Sequence, residues 1–112
     1  MRLILLLALV PAVALGASVV KTIDAPDTGI SGLAWGAGSL WAADGGTGNI
    51  YELDPSDGTV LSSFYCNTGT PSGLAYMGGN LHALNAESGS YYGYVYKYSE
   101  SGGYQGAYDS TC

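Results

Sequence analysis

Apolar and polar residues alternate in short runs along this chain, and glycine-rich turns separate the runs. Alternation with a period of two, in runs rich in Val, Thr and aromatic residues, is typical of β-strands. The tight turns between the runs favour antiparallel pairing, so the pattern predicts two four-stranded meanders. The predicted strands are Gly29–Trp35, Ser39–Asp44, Asn49–Asp54, Thr59–Cys66, Thr70–Tyr76, Asn80–Asn85, Tyr92–Ser99 and residues 104–111.

The two sets of strands are copies of one repeat. The segment ISGLAWGAGSLWAAD at 30–44 recurs as PSGLAYMGGNLHALN at 71–85, and NIYELDPSDG at 49–58 recurs as YVYKYSESGG at 94–103. A repeat of about 40 residues built from four short strands is typical of a β-propeller blade. We therefore expect an all-β fold of about two antiparallel four-stranded β-propeller blades.

One more strand is expected before the first repeat, because Val19–Ile23 aligns with Val60–Phe64 when it is moved by 41 residues. The predicted partial propeller spans residues 17–112, with a lone outer strand at 17–28, a first blade at 29–66 and a second blade at 70–112. Typical propellers have about four to eight blades. The expected partners are therefore further blades, from the same chain or another. Three alternatives stay open: a piece of a longer propeller, a short chain that assembles a ring from several copies, and an open two-blade sheet.

The chain begins like an exported protein. A short basic start, Met1-Arg2, precedes the apolar run Leu3–Val10, and Ala14-Leu15-Gly16 places small residues where signal peptidase cleaves. We expect residues 1–16 to be a signal-peptide helix and the mature chain to be secreted or periplasmic. The apolar run is short for a span of about 20 residues, so no stable membrane span is expected after cleavage.

The charge balance excludes some classes of partner. The net charge is −6, and cleavage would leave Lys21 and Lys97 as the cations opposite nine acidic residues. Two cations cannot neutralise a nucleic-acid backbone, so nucleic-acid binding is not expected. The same balance argues against docking on anionic lipid.

The first repeat resembles a known family. SGLAWGAGSLWAADGGTGNIYELDPSDGTVLSSF at residues 31–64 closely follows the repeat SPSGLAWDGxxLWVADxxxxxIYKLDPSTGxVxxSF of bacterial exported β-propellers. Streptogramin lyase-like, glutaminyl cyclotransferase-like, quinoprotein-like and NHL-type propellers are related to that family. The second copy departs from the pattern at Tyr76, His82 and Ser99. The resemblance concerns the scaffold, and it transfers no catalytic residue to a position of this chain.

The loop after the second strand of each repeat is the candidate ligand-binding surface. Asp44 and Asn85 end equivalent strands, and the longer loop after Asn85 contains Glu87 and Tyr91. On a loop face, these four residues could bind an extracellular protein or a glycan. The alternative for Asp44 and Asn85 is a structural one, because Asp and Asn cap turns by accepting hydrogen bonds from nearby backbone amides. For the longer loop after Asn85, the alternative is neutral variation in loop length.

The remaining chemistry-bearing residues have structural interpretations. We expect His82 to be a packed or edge residue and DPSDG at 54–58 to be a turn. The alternating tyrosines 92, 94, 96 and 98 are expected to form a packing face, and the alternative is a row that stacks on sugar rings or on a partner protein. Both Trp35/Tyr76 and Trp41/His82 are expected to fill the space between blades. Cys66 and Cys112 end equivalent strands, so a mutual disulfide is not favoured, although pairing with other cysteines stays open.

Three functions are compatible with these observations. No catalytic or metal-binding constellation and no cofactor motif stands out in the sequence, which favours a non-enzymatic binding or scaffold module. The first alternative is part of a lyase-like or cyclotransferase-like enzyme whose catalytic residues lie outside this chain. The second is a short chain that assembles into a ring.

Overall fold

A computed structural model describes residues 16–66, 70–86 and 93–109 of the chain. The described residues form two antiparallel four-stranded sheets, and each sheet is a meander in which sequential strands are neighbours. Sheet 1 contains β1 (Ile30–Gly36), β2 (Ser39–Asp44), β3 (Asn49–Leu53) and β4 (Val60–Tyr65), and sheet 2 contains β5 (Gly73–Met77), β6 (Asn80–Ala86), β7 (Gly93–Tyr98) and β8 (Tyr104–Asp109). The predicted all-β class, strand order and pairing are therefore confirmed.

Each sheet begins with a hairpin whose two turn residues have positive φ. The β1–β2 turn contains Ala37 at 55° and Gly38 at 75°, and the β5–β6 turn contains Gly78 at 60° and Gly79 at 80°. Two consecutive left-handed residues make the turn whose twist matches that of the flanking strands. Glycine adopts this conformation without steric cost, whereas Ala37 does not.

The two sheets have equivalent faces, because side chains alternate along each strand. One face of sheet 1, named face A, carries Leu33, Trp35, Ala42 and Tyr51, and its face B carries Ala34, Trp41, Ala43, Ile50 and Phe64. In sheet 2, face A carries Leu74, Tyr76, Ala83 and Tyr96, and face B carries Ala75, His82, Leu84, Val95 and Tyr108.

Face B of sheet 1 packs on face A of sheet 2. The backbones of β1 and β5 come so close that a Cβ on Gly32 would lie 2.9 Å from the Leu74 nitrogen. Further out, the Trp41 and Tyr76 rings stack with their centroids 6.4 Å apart, and Phe64 meets Tyr98 at 5.4 Å. The buried core between the sheets is Trp41, Ala43, Ile50, Cys66, Leu81, Ala83 and Tyr98.

The bulky side chains of the repeat do not all fill the space between the sheets. Trp41 is buried there, and its indole nitrogen donates to the Gly36 carbonyl at 3.0 Å. Trp35, by contrast, is 61% exposed because it points from face A of sheet 1, on which no described sheet packs. Trp35 is therefore not covered by the described residues, and its place between this blade and a further one stays a prediction.

The predicted strand at Val19–Ile23 is not formed: residues 16–29 contain no strand. A strand needs a partner edge for its backbone hydrogen bonds. In sheet 2 the outer edge of β7 is already paired with β8. Ile23 instead packs beside the β3–β4 turn, where a Cβ on Gly58 would lie 3.2 Å from its side chain.

The N-terminal segment also covers part of sheet 1. Residues 23–26 line a groove with Ile30, Leu33, Leu40, Ala42 and Leu53, which belong to β1, β2 and β3. Leu53 is buried under this segment, whereas Leu33 stays 59% exposed. Within residues 16–66, 70–86 and 93–109, no helix is long and apolar enough to cross a membrane.

Candidate functional site

The ends of β2 and β6 place Asp44 and Asn85 at equivalent positions of two stacked sheets. Both residues therefore lie at one edge of the stack, named the loop edge, which also includes the β2–β3 loop and the segment that leads into β1. The hairpin turns at 37–38 and 78–79 lie at the opposite edge, because strands in a meander alternate in direction. The structure thus brings two of the four candidate residues to one edge.

Asp44 organises the β2–β3 loop from a buried position. Its side chain is 1% exposed, and its Oδ1 accepts hydrogen bonds from the Gly46 amide at 2.7 Å and the Thr47 amide at 3.1 Å. Its carbonyl accepts a third bond from the Gly48 amide at 2.8 Å. This is the turn-capping arrangement predicted as the structural alternative for an Asp at a strand end.

The hydrogen bonds to Asp44 outweigh the effect of its burial. Desolvation raises the pKa of the carboxyl, but the backbone amides of Gly46 and Thr47, together with the Thr47 hydroxyl, hold the pKa below its usual value. The carboxylate therefore stays ionised in the folded protein at neutral pH. Its Oδ2 is buried and accepts no well-aligned hydrogen bond from the described residues.

Asp27 and Gly29 belong to the site, but the repeat pattern could not predict their contacts with Asp44. Asp27 contacts Asp44 from the segment before β1, and its own Oδ1 accepts a hydrogen bond from the Thr28 amide at 2.7 Å. Gly29 is required because a Cβ there would overlap Asp44 Oδ1. The alternation of strands carries no signal for Asp27, since the residue lies outside the repeat.

The loop held by Asp44 presents polar side chains to solvent. Thr47 is exposed and Asn49 is half-buried. The Asn49 side-chain amide donates to the Thr47 hydroxyl at 3.1 Å and to the Tyr51 hydroxyl at 3.4 Å. These contacts fix a row of uncharged hydrogen-bonding groups along the loop edge.

The second repeat contributes less to the described site. Asn85 is half-buried and pairs with Tyr94 in the β6–β7 ladder. Tyr94 is 39% exposed, and its ring lies 6.1 Å from that of Tyr96. Glu87 and Tyr91 lie outside the described residues, so their predicted role in ligand binding stays a prediction.

The residues interpreted as structural have structural contacts. His82 is 9% exposed, and its Nδ1 is 2.8 Å from the Tyr108 hydroxyl. Tyr98 is buried in the core and Tyr96 packs against it, as the tyrosine pattern predicted, whereas Tyr92 lies outside the described residues. Asp54 caps the turn at 54–58 by accepting from the Ser56 amide at 2.8 Å.

The cysteine prediction stays a prediction, because Cys112 lies outside the described residues. Cys66 is buried, and its sulfur lies 3.0 Å from the Tyr98 hydroxyl. Among the residues that the structure describes, no group of three or more His, Cys, Asp and Glu side chains could hold a metal ion.

Comparison with protein-family models gives no match for this chain, and comparison with curated proteins gives none either.

Proposed function

We propose that this chain is an exported, propeller-type repeat protein that acts as a non-enzymatic binding or scaffold module. Its loop edge is the binding surface, and its ligand is an extracellular polymer with uncharged hydrogen-bonding groups, of which a glycan is the favoured kind. The signal-peptide pattern of residues 1–16 and the resemblance of residues 31–64 support the exported propeller. Two stacked four-stranded meanders with equivalent faces are compatible with that assignment.

The observation that carries the proposal is the way Asp44 holds the β2–β3 loop. Two hydrogen bonds to the Asp44 carboxylate and one to the Asp44 carbonyl hold residues 46–48 in place. The side chains of Thr47 and Asn49 are therefore presented in a defined geometry. A loop that is ordered before binding loses less conformational entropy when a ligand docks. The amide and hydroxyl groups of this loop match the hydroxyls of a sugar, and the half-exposed ring of Tyr94, which pairs with Asn85 in sheet 2, matches the apolar patch of a sugar ring.

The experiment is retention of the full chain on an array of immobilised oligosaccharides, repeated with Thr47→Ala and Asn49→Ala. We expect binding to at least one class of glycan, and we expect each variant to weaken it about tenfold, which corresponds to about 1.4 kcal/mol. Ser56→Ala is the matched control, because Ser56 lies in the β3–β4 turn at the opposite edge. The proposal is contradicted if no glycan is retained, or if the two loop-edge variants bind as well as Ser56→Ala does.

A further inference from the structure

Two sheet faces remain open after the sheets have stacked, and both are apolar. On face A of sheet 1, Leu33 is 59% and Trp35 is 61% exposed. On face B of sheet 2, Met77 is 57% and Tyr108 is 47% exposed. No other described sheet packs on either face. Exposed apolar patches of this kind are typical of interaction surfaces.

The two open faces are the repeat equivalents of the two faces that pack on each other within the chain. Face A of sheet 1 is the repeat equivalent of the face with which sheet 2 packs, so Leu33 and Trp35 correspond to Leu74 and Tyr76. Face B of sheet 2 is likewise the equivalent of the face with which sheet 1 packs. The equivalent pairs on face B are Gly32/Gly73, Ala34/Ala75, Ile50/Val95 and Phe64/Tyr108.

We propose that a second copy of this chain docks head-to-tail, with face B of its sheet 2 on face A of sheet 1. The docking repeats the internal contact, so Leu33 of one copy approaches Gly73 of the other as Leu74 approaches Gly32 within the chain. The contact is heterologous, because each copy contributes a different face. After docking, one copy keeps its open face B and the other keeps its open face A, so a further copy can add at either end.

Two features of sheet 2 correspond to features with which sheet 1 contacts sheet 2. A Cβ on Gly73 would find no atom closer than 3.7 Å within the chain, so this glycine is not required by internal packing. Ser72 donates to the Leu84 carbonyl at 3.2 Å, as Ser31 donates to the Ala43 carbonyl at 3.3 Å. Ser31 shares this one proton with the Pro71 carbonyl across the sheets, at the shorter distance of 2.6 Å. In the docked pair, Ser72 reaches the equivalent carbonyl of Ile30.

The docking also meets two obstacles, which keep it weaker than the internal contact. Tyr76 packs on Gly36, where a Cβ would overlap its ring, but the equivalent position in sheet 2 is Met77. Met77 thus stands where Trp35 of the other copy must lie, and its flexible side chain has to move. Residues 23–26 line a groove over β2 and β3 of face A, where Ala42 and Leu53 are buried, and the groove reaches Leu33. The contact is therefore left mainly to the exposed part of β1 and to β5.

Sedimentation velocity of the full chain over a wide range of concentration tests this proposal. We expect the weight-average mass of the wild type to rise with concentration. Gly73→Ala should stay monomeric, because its Cβ meets the backbone of the incoming β1. Met77→Gly should associate at about tenfold lower concentration, because it opens the position for Trp35. The matched control is Ser56→Ala, in the exposed β3–β4 turn outside both open faces, and it should associate like the wild type.

The outcomes separate this proposal from others. Wild type that stays monomeric overturns it, and so does Gly73→Ala that associates as the wild type does, which would place the contact elsewhere, for instance in residues 1–16. Circular dichroism checks that Gly73→Ala is folded. If it is not, Trp35→Ser replaces it, because Trp35 is exposed in the single chain and should be needed only for association. Glycan retention at the loop edge is independent of this result.

Discussion

At the scale of the residue, equivalent positions of the repeat have different environments. Trp41 is buried between the sheets, whereas its equivalent His82 lies on an open face and contacts the Tyr108 hydroxyl. Asp44 is a buried carboxylate that holds a loop, and its equivalent Asn85 shows that an amide is compatible with the same strand end. Each difference follows from what packs on the face or edge that carries the residue.

The lowered pKa of Asp44 predicts how stability depends on pH. Because its folded-state pKa lies below the usual value of about 3.9, the ionised carboxyl stabilises the fold above that pH. This contribution is lost as the pH falls through the folded-state pKa. We expect the free energy of unfolding to fall more steeply for the wild type than for Asp44→Asn between about pH 5 and pH 3.

Urea unfolding at a series of pH values measures this difference. A residual slope is expected in the variant, because hydrogen bonds from the Thr59 side chain and amide also lower the pKa of Asp57. Parallel pH profiles for the wild type and Asp44→Asn would contradict the role assigned to the Asp44 carboxylate.

At the scale of the element, the hairpins show how a local conformation is set by the twist of the strands. Both two-residue turns need left-handed backbone, and glycine supplies it at three of the four positions. The exception is Ala37, at a φ of 55°, which carries a Cβ in a conformation that costs an L-residue about 1–2 kcal/mol.

Ala37→Gly should therefore stabilise the protein by about 0.5–1 kcal/mol, since relief of this strain exceeds the added entropy of the unfolded chain. Gly78→Ala is the reverse substitution, because Gly78 has the equivalent position in the second repeat and a Cβ added there would meet no atom within 4 Å. It should destabilise by a similar amount. Chemical denaturation measures both changes, and equal signs for the two substitutions would contradict the explanation.

At the scale of the whole molecule, the stacking of the sheets depends on small residues at the inner strands. Gly32 allows the backbones of β1 and β5 to approach, and Gly36 makes room for the ring of Tyr76. The larger residues Trp41, Phe64 and Tyr98 fill the wider space further out. The sheets thus meet at the inner strands and diverge outward.

Gly32→Ala should destabilise the protein by about 1–3 kcal/mol, because its Cβ would meet the backbone of β5, which cannot move as a side chain can. Gly73→Ala is the matched control in the equivalent strand and should change stability by less than about 0.5 kcal/mol. Unfolding is measured at low protein concentration, so that association between copies does not contribute. Similar losses for the two variants would show that the contact between β1 and β5 is not as described.

The sequence by itself determined the elements of this protein: alternation and glycine turns placed all eight strands within a few residues and gave their order. It also identified Asp44 as a loop-edge residue, because local hydrogen bonding follows from position in a strand and turn. Only the tertiary structure decided which face of each sheet is buried, because both faces of a repeat are apolar. It separated buried Trp41 from exposed Trp35, brought Asp27 to Asp44, and left Val19–Ile23 without a strand, since each depends on partners distant in sequence.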